Sequence, residues 1–386
     1  MIRALTIVTV NLVVFEAASF LAIVELRIVR PNRRWDLFMD KELSGVSDAT
    51  IASFLASRYD VDLGWDNFPD TQASGRNVLD EPWTATYDAT GARVSCLAGT
   101  TGDQDPLIAT YGDSFTHGDE VSDDATWQCA LERTMNRRVK NYGVGGYGAD
   151  QALLKAERHW KRGDIASITI LAVYEDGLRR TLNRYRPFLS PGTDAKLAFK
   201  PSLRKVDDTV VLLPNPLRPD VATKAEVKAL AISLIPTDYW ASGAARVIPK
   251  FPYSVQLLTA CLRAIRWQLV NFRTSANIWD VPEGREVILH LLKEFTDRAK
   301  QYGTRPVLLM IPDTRAWSDG RVKPTYAAFL RDELDKAQLG LLIIDIADAS
   351  FKEQQFNVRP FSGHPSAYGN GVIAAAVLNG LNATPP

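Results

Sequence analysis

The chain has 386 residues, with 45 basic and 45 acidic side chains, a formal net charge of zero and 46% hydrophobic residues. That balance describes a folded, near-neutral protein and argues against bulk nucleic-acid binding, which rests on a cationic surface. The three cysteines, Cys96, Cys129 and Cys261, lack metal-ligand spacing and allow at most one internal bridge. No Gly-rich phosphate loop, zinc signature or repeat is present, so neither metal nor cofactor is expected.

In chain order, residues 4–24 form a mostly apolar stretch of the ~20 residues with which a helix crosses a bilayer. Only Arg3 precedes it, and no small-x-small cleavage site stands before Leu26-Arg27. An uncleaved anchor over residues 1–34 is therefore expected, with a processed signal or a buried core helix as alternatives. Asn11 and Glu16 interrupt the stretch. Both are costly facing lipid, which points to a membrane-protein partner, although a marginal span can carry two polar residues without one. Arg27, Arg30, Arg33 and Arg34 follow the span, and the positive-inside rule would keep the body of the chain in the cytoplasm.

Residues 35–105, rich in Asp, Gly, Thr and Trp, read as an irregular, β-leaning lead-in with a Leu63-Gly64-Trp65 turn. From residue 106 short apolar runs at 107–111, 139–142 and 167–173 alternate with helical patterns at 127–135 and 150–160. A long excursion at about 181–283 interrupts the alternation. Its Pro214, Pro216 and Pro219 exclude regular helix or central strand there, and residues 253–272 have a helical period suited to covering the core. The pattern resumes with a helix at 284–302, a run at 306–311, a helix at 325–338, a run at 341–346 and a last apolar helix at 372–381. Such alternation predicts an α/β domain over 106–386, with five parallel strands between two helical layers.

Chemistry concentrates where the first run ends, at Gly112-Asp113-Ser114-Phe115-Thr116-His117-Gly118. In an open α/β sheet the loops at the strands' carboxyl ends line the ligand crevice, so Ser114 is placed as a nucleophile. A turn with a helix cap from Asp113 or Ser114 fits the same residues. Far along the chain, Ser362-Gly363-His364-Pro365 supplies a loop histidine whose near-neutral imidazole can take and return the serine proton. Of the other three histidines, His159 and His290 sit in helical patterns and read as structural. The role of His117 stays open.

Together these segments resemble the SGNH, or GDSL, hydrolase family, whose blocks fall in this order. Block one is Gly112-Asp113-Ser114, and block two is the segment from Asn141-Tyr142-Gly143 to Asp150-Gln151. The last block is the His364 segment. The resemblance implies a flavodoxin-like three-layer sandwich, Ser114 as nucleophile, His364 as base, and the amides of Ser114 and Gly143 as the oxyanion hole. Two positions depart from the family pattern. Val173-Tyr174-Glu175-Asp176 stands where the family has Gly-x-Asn-Asp, so Glu175 replaces an amide donor, as in similar members with an acidic pair followed by basic residues. Ser362 and Phe361 occupy the positions of the aspartate that orients the histidine. Asp176, Asp345 and Asp348 are candidates to supply that carboxylate through space, and Asp113, Glu175 and Asp176 are candidate supporting residues.

The expected function is a membrane-anchored esterase or deacylase acting on a small-molecule or glycan ester, such as an acylated cell-envelope component, without a cofactor. Anchored proteins of similar pattern carry this domain outside the bacterial cytoplasmic membrane, which implies a single-pass protein with a periplasmic or extracytoplasmic body. Two alternatives stand: an SGNH-fold accessory subunit that has lost the chemistry, and an acyltransferase using the same residues.

Overall fold

Five of the apolar runs become five parallel strands of one sheet. They are β1 (Ile108–Tyr111), β2 (Val139–Asn141), β3 (Ile168–Tyr174), β4 (Arg305–Ile311) and β5 (Leu342–Asp345). The computed structural model describes residues 2–25, 35–94, 96, 106–241, 251–255, 257–259, 261, 282–312, 314, 330–334, 337 and 339–383. The strand order is β2-β1-β3-β4-β5, and every pair is parallel. That is the flavodoxin-like order, whose reversal of direction opens a crevice at the carboxyl ends of β1 and β3.

The helices used below are α1 (Ile2–Glu25), α2 (Ser114–His117), α3 (Trp127–Met135), α4 (Ala149–Lys161), α5 (Glu175–Arg180), α6 (Pro282–Gln301) and α7 (Ala367–Ala383). Alternate residues of a strand point to opposite faces, and the core divides accordingly. Leu171 and Val173 of β3, with Leu308 and Met310 of β4, meet Leu153, Ala156 and Trp160 of α4 and Val287, Leu291 and Phe295 of α6. Ile170, Ala172, Val307 and Leu309 face the other way, onto Trp127 and Leu131 of α3 and Ile373 and Val377 of α7. The expected three layers are thus present.

The lead-in differs from its expectation. It opens with two helices, Trp35–Glu42 and Asp48–Ser57, the second started by a Ser47/Thr50 capping box. Hairpins of Tyr59–Asp60 with Gly64–Trp65, and of Gln72–Arg76 with Pro82–Thr86, come only afterwards. Tertiary burial explains the helices: Met39, Leu43 and Ile51 pack with Tyr185, Phe188, Phe199, Leu217 and Val227 of the excursion in a second apolar core. The excursion itself holds a hairpin, Ser202–Val206 with Thr209–Leu213, and a helix, Lys224–Ser233.

Helix α1 covers the apolar amino-terminal stretch, with Val10, Leu12, Val13, Val14, Phe15 and Leu21 exposed. Among the described residues no helix is long and apolar enough to cross a membrane; the side chains of residues 2–5, 7–8 and 23–25 lie outside the description. Glu16 has a partner within this chain. Its carboxylate accepts from the amides of Tyr253 (2.6 Å) and Ser254 (3.2 Å) and from the Ser254 hydroxyl, while Phe20 meets the Tyr253 ring at 5.1 Å. Asn11 is exposed on the same helix. Arg27, Arg30, Arg33 and Arg34, most of the expected helix at 253–272 and much of that at 325–338 lie outside the described residues.

Cys96 and Cys129 form the one possible internal disulfide by joining the end of the lead-in to α3, and Cys261 is exposed and free. A buried ion pair ties the excursion to the sheet domain. Lys200 Nζ donates to Asp150 Oδ2 (2.6 Å), in the first turn of α4, and to the carbonyls of Arg180 (3.1 Å), Asn183 (3.2 Å) and Pro201 (2.6 Å). Neither charged side chain reaches solvent. Burial pushes the Asp150 carboxyl up to about 6 against the pull of Lys200. Removing one partner of such a pair strands the other, so Lys200→Met is expected to destabilise the protein by about 3–5 kcal/mol, measured by chemical denaturation.

Candidate active site

Strand β1 is followed by Gly112, where a Cβ would lie 2.1 Å from Thr116 Oγ1 and 2.6 Å from the Ala172 carbonyl oxygen, so only glycine fits. Asp113 then caps α2, its Oδ1 accepting from Phe115 N at 3.0 Å. The helix closes at Gly118 (φ 82°), and the amides of Gly118 (2.9 Å) and Asp119 (3.0 Å) both donate to the Ser114 carbonyl. The cap and the candidate nucleophile therefore coexist, Asp113 serving the first and leaving the Ser114 side chain to the second. Ser114 is 6% exposed at the first position of α2, beside the crevice where the strand order reverses.

His364 lies on a hairpin strand, Ser362–Pro365, that pairs with Asn357–Arg359. Its ring stands 5.3 Å from that of Phe115, the neighbour of Ser114. Among the described residues no hydrogen bond joins Ser114 Oγ to His364. The carboxylate that holds the imidazole is Glu120, whose Oε2 meets His364 Nδ1 at 2.9 Å and accepts from the His364 amide at 3.0 Å. Glu120 has φ 69°, rare outside glycine, and Gly363 opposite it has φ 80°. A Cβ on Gly363 would stand 3.0 Å from Glu120 Oε2, so the glycine leaves room for the contact.

The three aspartates considered from the sequence lie elsewhere. Asp345 and Asp348 pair with Arg331. Asp176 is held by arginines: Arg180 Nη2 at 2.5 Å, Arg179 Nη1 at 3.4 Å and Arg186 Nη1 at 4.0 Å. Burial opposes its charge, but the guanidiniums of Arg180, Arg186 and Arg179 outweigh that and hold its carboxyl down at about 2. Arg180 also reaches Asp113 Oδ2 at 3.4 Å. Burial nonetheless raises the Asp113 carboxyl above its ordinary range, Arg180 opposing. Arg186 is pulled down to about 9 by burial and by Arg180. Glu175 opens α5, and its side chain lies outside the described residues.

Block two packs tightly on α2. A Cβ on Gly143 would lie 2.3 Å from the His117 amide nitrogen, so this glycine is needed for close approach. Its N–H, expected as an oxyanion donor, donates instead to Asn141 Oδ1 at 3.0 Å. The reason is local: an asparagine side chain commonly bonds the backbone two residues on.

His117, left open by the sequence, is buried beside this turn. Its Nδ1 meets Asp119 Oδ1 at 2.5 Å and its Nε2 meets the Tyr87 hydroxyl at 2.8 Å. Burial pushes the Tyr87 hydroxyl up to about 12. The other oxygen of Asp119, Oδ2, stands 3.9 Å from His364 Nε2. Arg93, 2% exposed, braces the segment by donating to the carbonyls of His117, Gly118, Val121 and Thr84. No sequence pattern marked Glu120, Asp119 or Arg93, although Asp119-Glu120 directly follows the Ser114 segment. His159, as expected, is structural: it sits against Tyr142 with Nδ1 3.0 Å from the Tyr111 hydroxyl, and burial drives its pKa down to about 3. His290 lies half-buried on α6.

The site thus has a serine at a helix start and an imidazole whose Nδ1 is held by a carboxylate. Those are the parts of nucleophilic acyl chemistry. Among the described residues no group of three or more His, Cys, Asp or Glu is placed to hold a metal ion.

Neither protein-family models nor curated proteins match the chain. Solved structures similar to it include two examples. One, from Desulfitobacterium hafniense DCB-2, is assigned to the G-D-S-L lipolytic family; it is 14% identical over 71% of this chain and 98% of that chain, with a TM-score of 0.37. The other, TesA, is 10% identical over 72% and 98%, with a TM-score of 0.35. Likenesses this remote leave the reading of the site to its own geometry.

Burial works against a charged His364, but the Glu120 hydrogen bond and the charges of Asp119, Glu120 and Asp113 outweigh it and raise its pKa above 6.5. The pairing therefore stabilises the fold fully below pH 6.5, and that contribution is lost as pH rises through the folded-state pKa. Ring-proton NMR is expected to show His364 titrating above 6.5. In Glu120→Gln the midpoint falls, and the stability gap to wild type is largest below pH 6.5.

Proposed function

We propose that this protein is a membrane-anchored SGNH-type serine ester hydrolase in which Ser114, His364 and Glu120 form the catalytic triad. The observation that carries the reading is the Glu120 carboxylate on His364 Nδ1, which supplies the orienting group that Ser362 and Phe361 lack. Held in this way, the imidazole is the Nδ1–H tautomer, and Nε2 accepts the Ser114 proton as Oγ attacks an ester carbonyl. The resulting imidazolium is stabilised by Glu120 and returns the proton to the leaving alcohol. Water then attacks the acyl-serine by the same route.

The Ser114 N–H, at the start of α2, serves the oxyanion. Gly143 joins it only by releasing Asn141 Oδ1. Asp113 fixes the start of α2, and Asp176 holds the arginines behind it. The substrate class is an ester of an acylated glycan or another cell-envelope component, and the anchor is α1 with the residues after it. The Cys96–Cys129 disulfide favours placement of the body outside the cytoplasm, because such bonds persist in oxidising compartments.

The test is labelling of the detergent-solubilised full chain by a fluorophosphonate, with turnover of a model acetyl ester. Ser114→Ala is expected to abolish both, and Glu120→Gln to lower kcat/KM by about 10²–10⁴-fold, the range of a well-placed acid–base group. Well-folded wild type that neither labels nor turns over would overturn the hydrolase reading in favour of an accessory subunit. Deleting residues 1–34 is expected to move the protein from the membrane to the soluble fraction on ultracentrifugation, and retention in the membrane would remove α1 as the anchor.

A further inference from the structure

The triad leaves unused a second carboxylate at the same imidazole. Asp119 Oδ2 stands 3.9 Å from His364 Nε2, the nitrogen that moves the proton, and its side chain is 32% exposed. Its position is tightly determined. The Asp119 amide donates to the Ser114 carbonyl at 3.0 Å, and Oδ1 is held by His117 Nδ1 at 2.5 Å, with the Tyr87 hydroxyl 2.8 Å from His117 Nε2. On its other side, Asp119 Oδ2 would stand 3.2 Å from a Cβ on Gly145, so a glycine keeps this space open in the block-two loop. A triad alone does not require this Tyr87-His117-Asp119 chain.

We infer that Asp119 is a catalytic residue for the second half of the reaction, orienting the water that attacks the acyl-Ser114 intermediate, with His117 and Tyr87 as positioning residues. The inference rests on the hydrolase reading. Two polar atoms 3.9 Å apart suit one molecule that donates to both, and water has two O–H groups to give. One O–H faces His364 Nε2 and is the proton transferred. The other is accepted by Asp119 Oδ2 and stays with the oxygen. The water oxygen bonds to the acyl carbon, the carbon–Oγ bond breaks, and the imidazolium returns its proton to Ser114 Oγ, releasing a carboxylic acid. A simple alcohol has a single O–H and can satisfy only one of the two acceptors. Asp119 therefore selects hydrolysis over transfer to a simple alcohol, while an acceptor bearing a second neighbouring hydroxyl would fit as water does.

The experiment separates the two half-reactions by stopped-flow burst kinetics with p-nitrophenyl acetate on the detergent-solubilised full chain. Intact-protein mass follows acetyl-Ser114, and methanol is the competing acceptor. In Asp119→Asn, which keeps the side chain's size, acylation is expected to slow by less than about threefold and deacylation by about ten- to a hundredfold, the usual cost of a misplaced reactant. Acetyl-enzyme then accumulates, and the ratio of methyl acetate to acetate rises. His117→Gln shifts the same ratio in the same direction by a smaller factor, a readout that loss of stability alone does not move. Equal slowing of both steps in both variants, or an unchanged product ratio, would overturn the role of Asp119 and leave the triad standing. Wild type that forms no acetyl-enzyme would overturn the hydrolase reading and this inference with it.

Discussion

The Ser114 carbonyl oxygen, which accepts from both Gly118 and Asp119, is the contact on which the site hangs. It closes residues 112–120 into one rigid turn, so that Ser114, His117, Asp119 and Glu120 all project from a single segment at the carboxyl end of β1. Glycines permit the closure at Gly112, whose neighbours leave no room for a Cβ, and at Gly118, whose φ is 82°. Gly143 lets the β2 loop pack directly on the same turn. Block two is therefore explained first as packing, and its amide is spoken for by Asn141.

Charge is arranged asymmetrically around this turn. On the side of α5, the carboxylates of buried Asp113 and half-buried Asp176 are met by Arg179, Arg180 and Arg186. Burying such groups is costly unless they pair and hydrogen-bond; the arginines outweigh that cost at Asp176, whereas burial prevails at Asp113. On the other side, Glu120 and Asp119 approach the two nitrogens of one imidazole, which favours its protonated form. Positive charge that develops on His364 during proton transfer thus meets the Glu120 carboxylate already in place, so little reorganisation is needed when it forms.

The lead-in and the excursion show how tertiary burial overrides local pattern. Residues 35–57 look irregular because Asp36, Asp40, Ser44, Gly45, Ser47 and Asp48 interrupt their apolar positions. Met39 and Ile51 nevertheless sit on two short helices with Leu43 in the turn between, and Tyr185, Phe188 and Phe199 supply the surface that all three pack on. That surface lies more than a hundred residues away in the chain. The buried Lys200 makes the same connection in polar form by joining the excursion to α4. Glu16, too, finds its partners at Tyr253 and Ser254. Read along α1 alone, it looked unsatisfied.

What the sequence determined by itself was local: five short apolar runs, the helices between them, the turn after β1, and a serine and a histidine placed on loops. Those features are legible because apolar periodicity, glycine and capping chemistry act over a few residues. The tertiary structure alone decided which carboxylate serves His364. Glu120 and His364 are 244 positions apart, and they meet only because the parallel sheet brings the ends of β1 and of the last hairpin together. It also decided that Asp345 and Asp348 pair with Arg331, and that Lys200 of the excursion meets Asp150 of α4. Each of these is a choice among several chemically equivalent groups, and strand order and loop geometry settle it through distance, which no local pattern encodes.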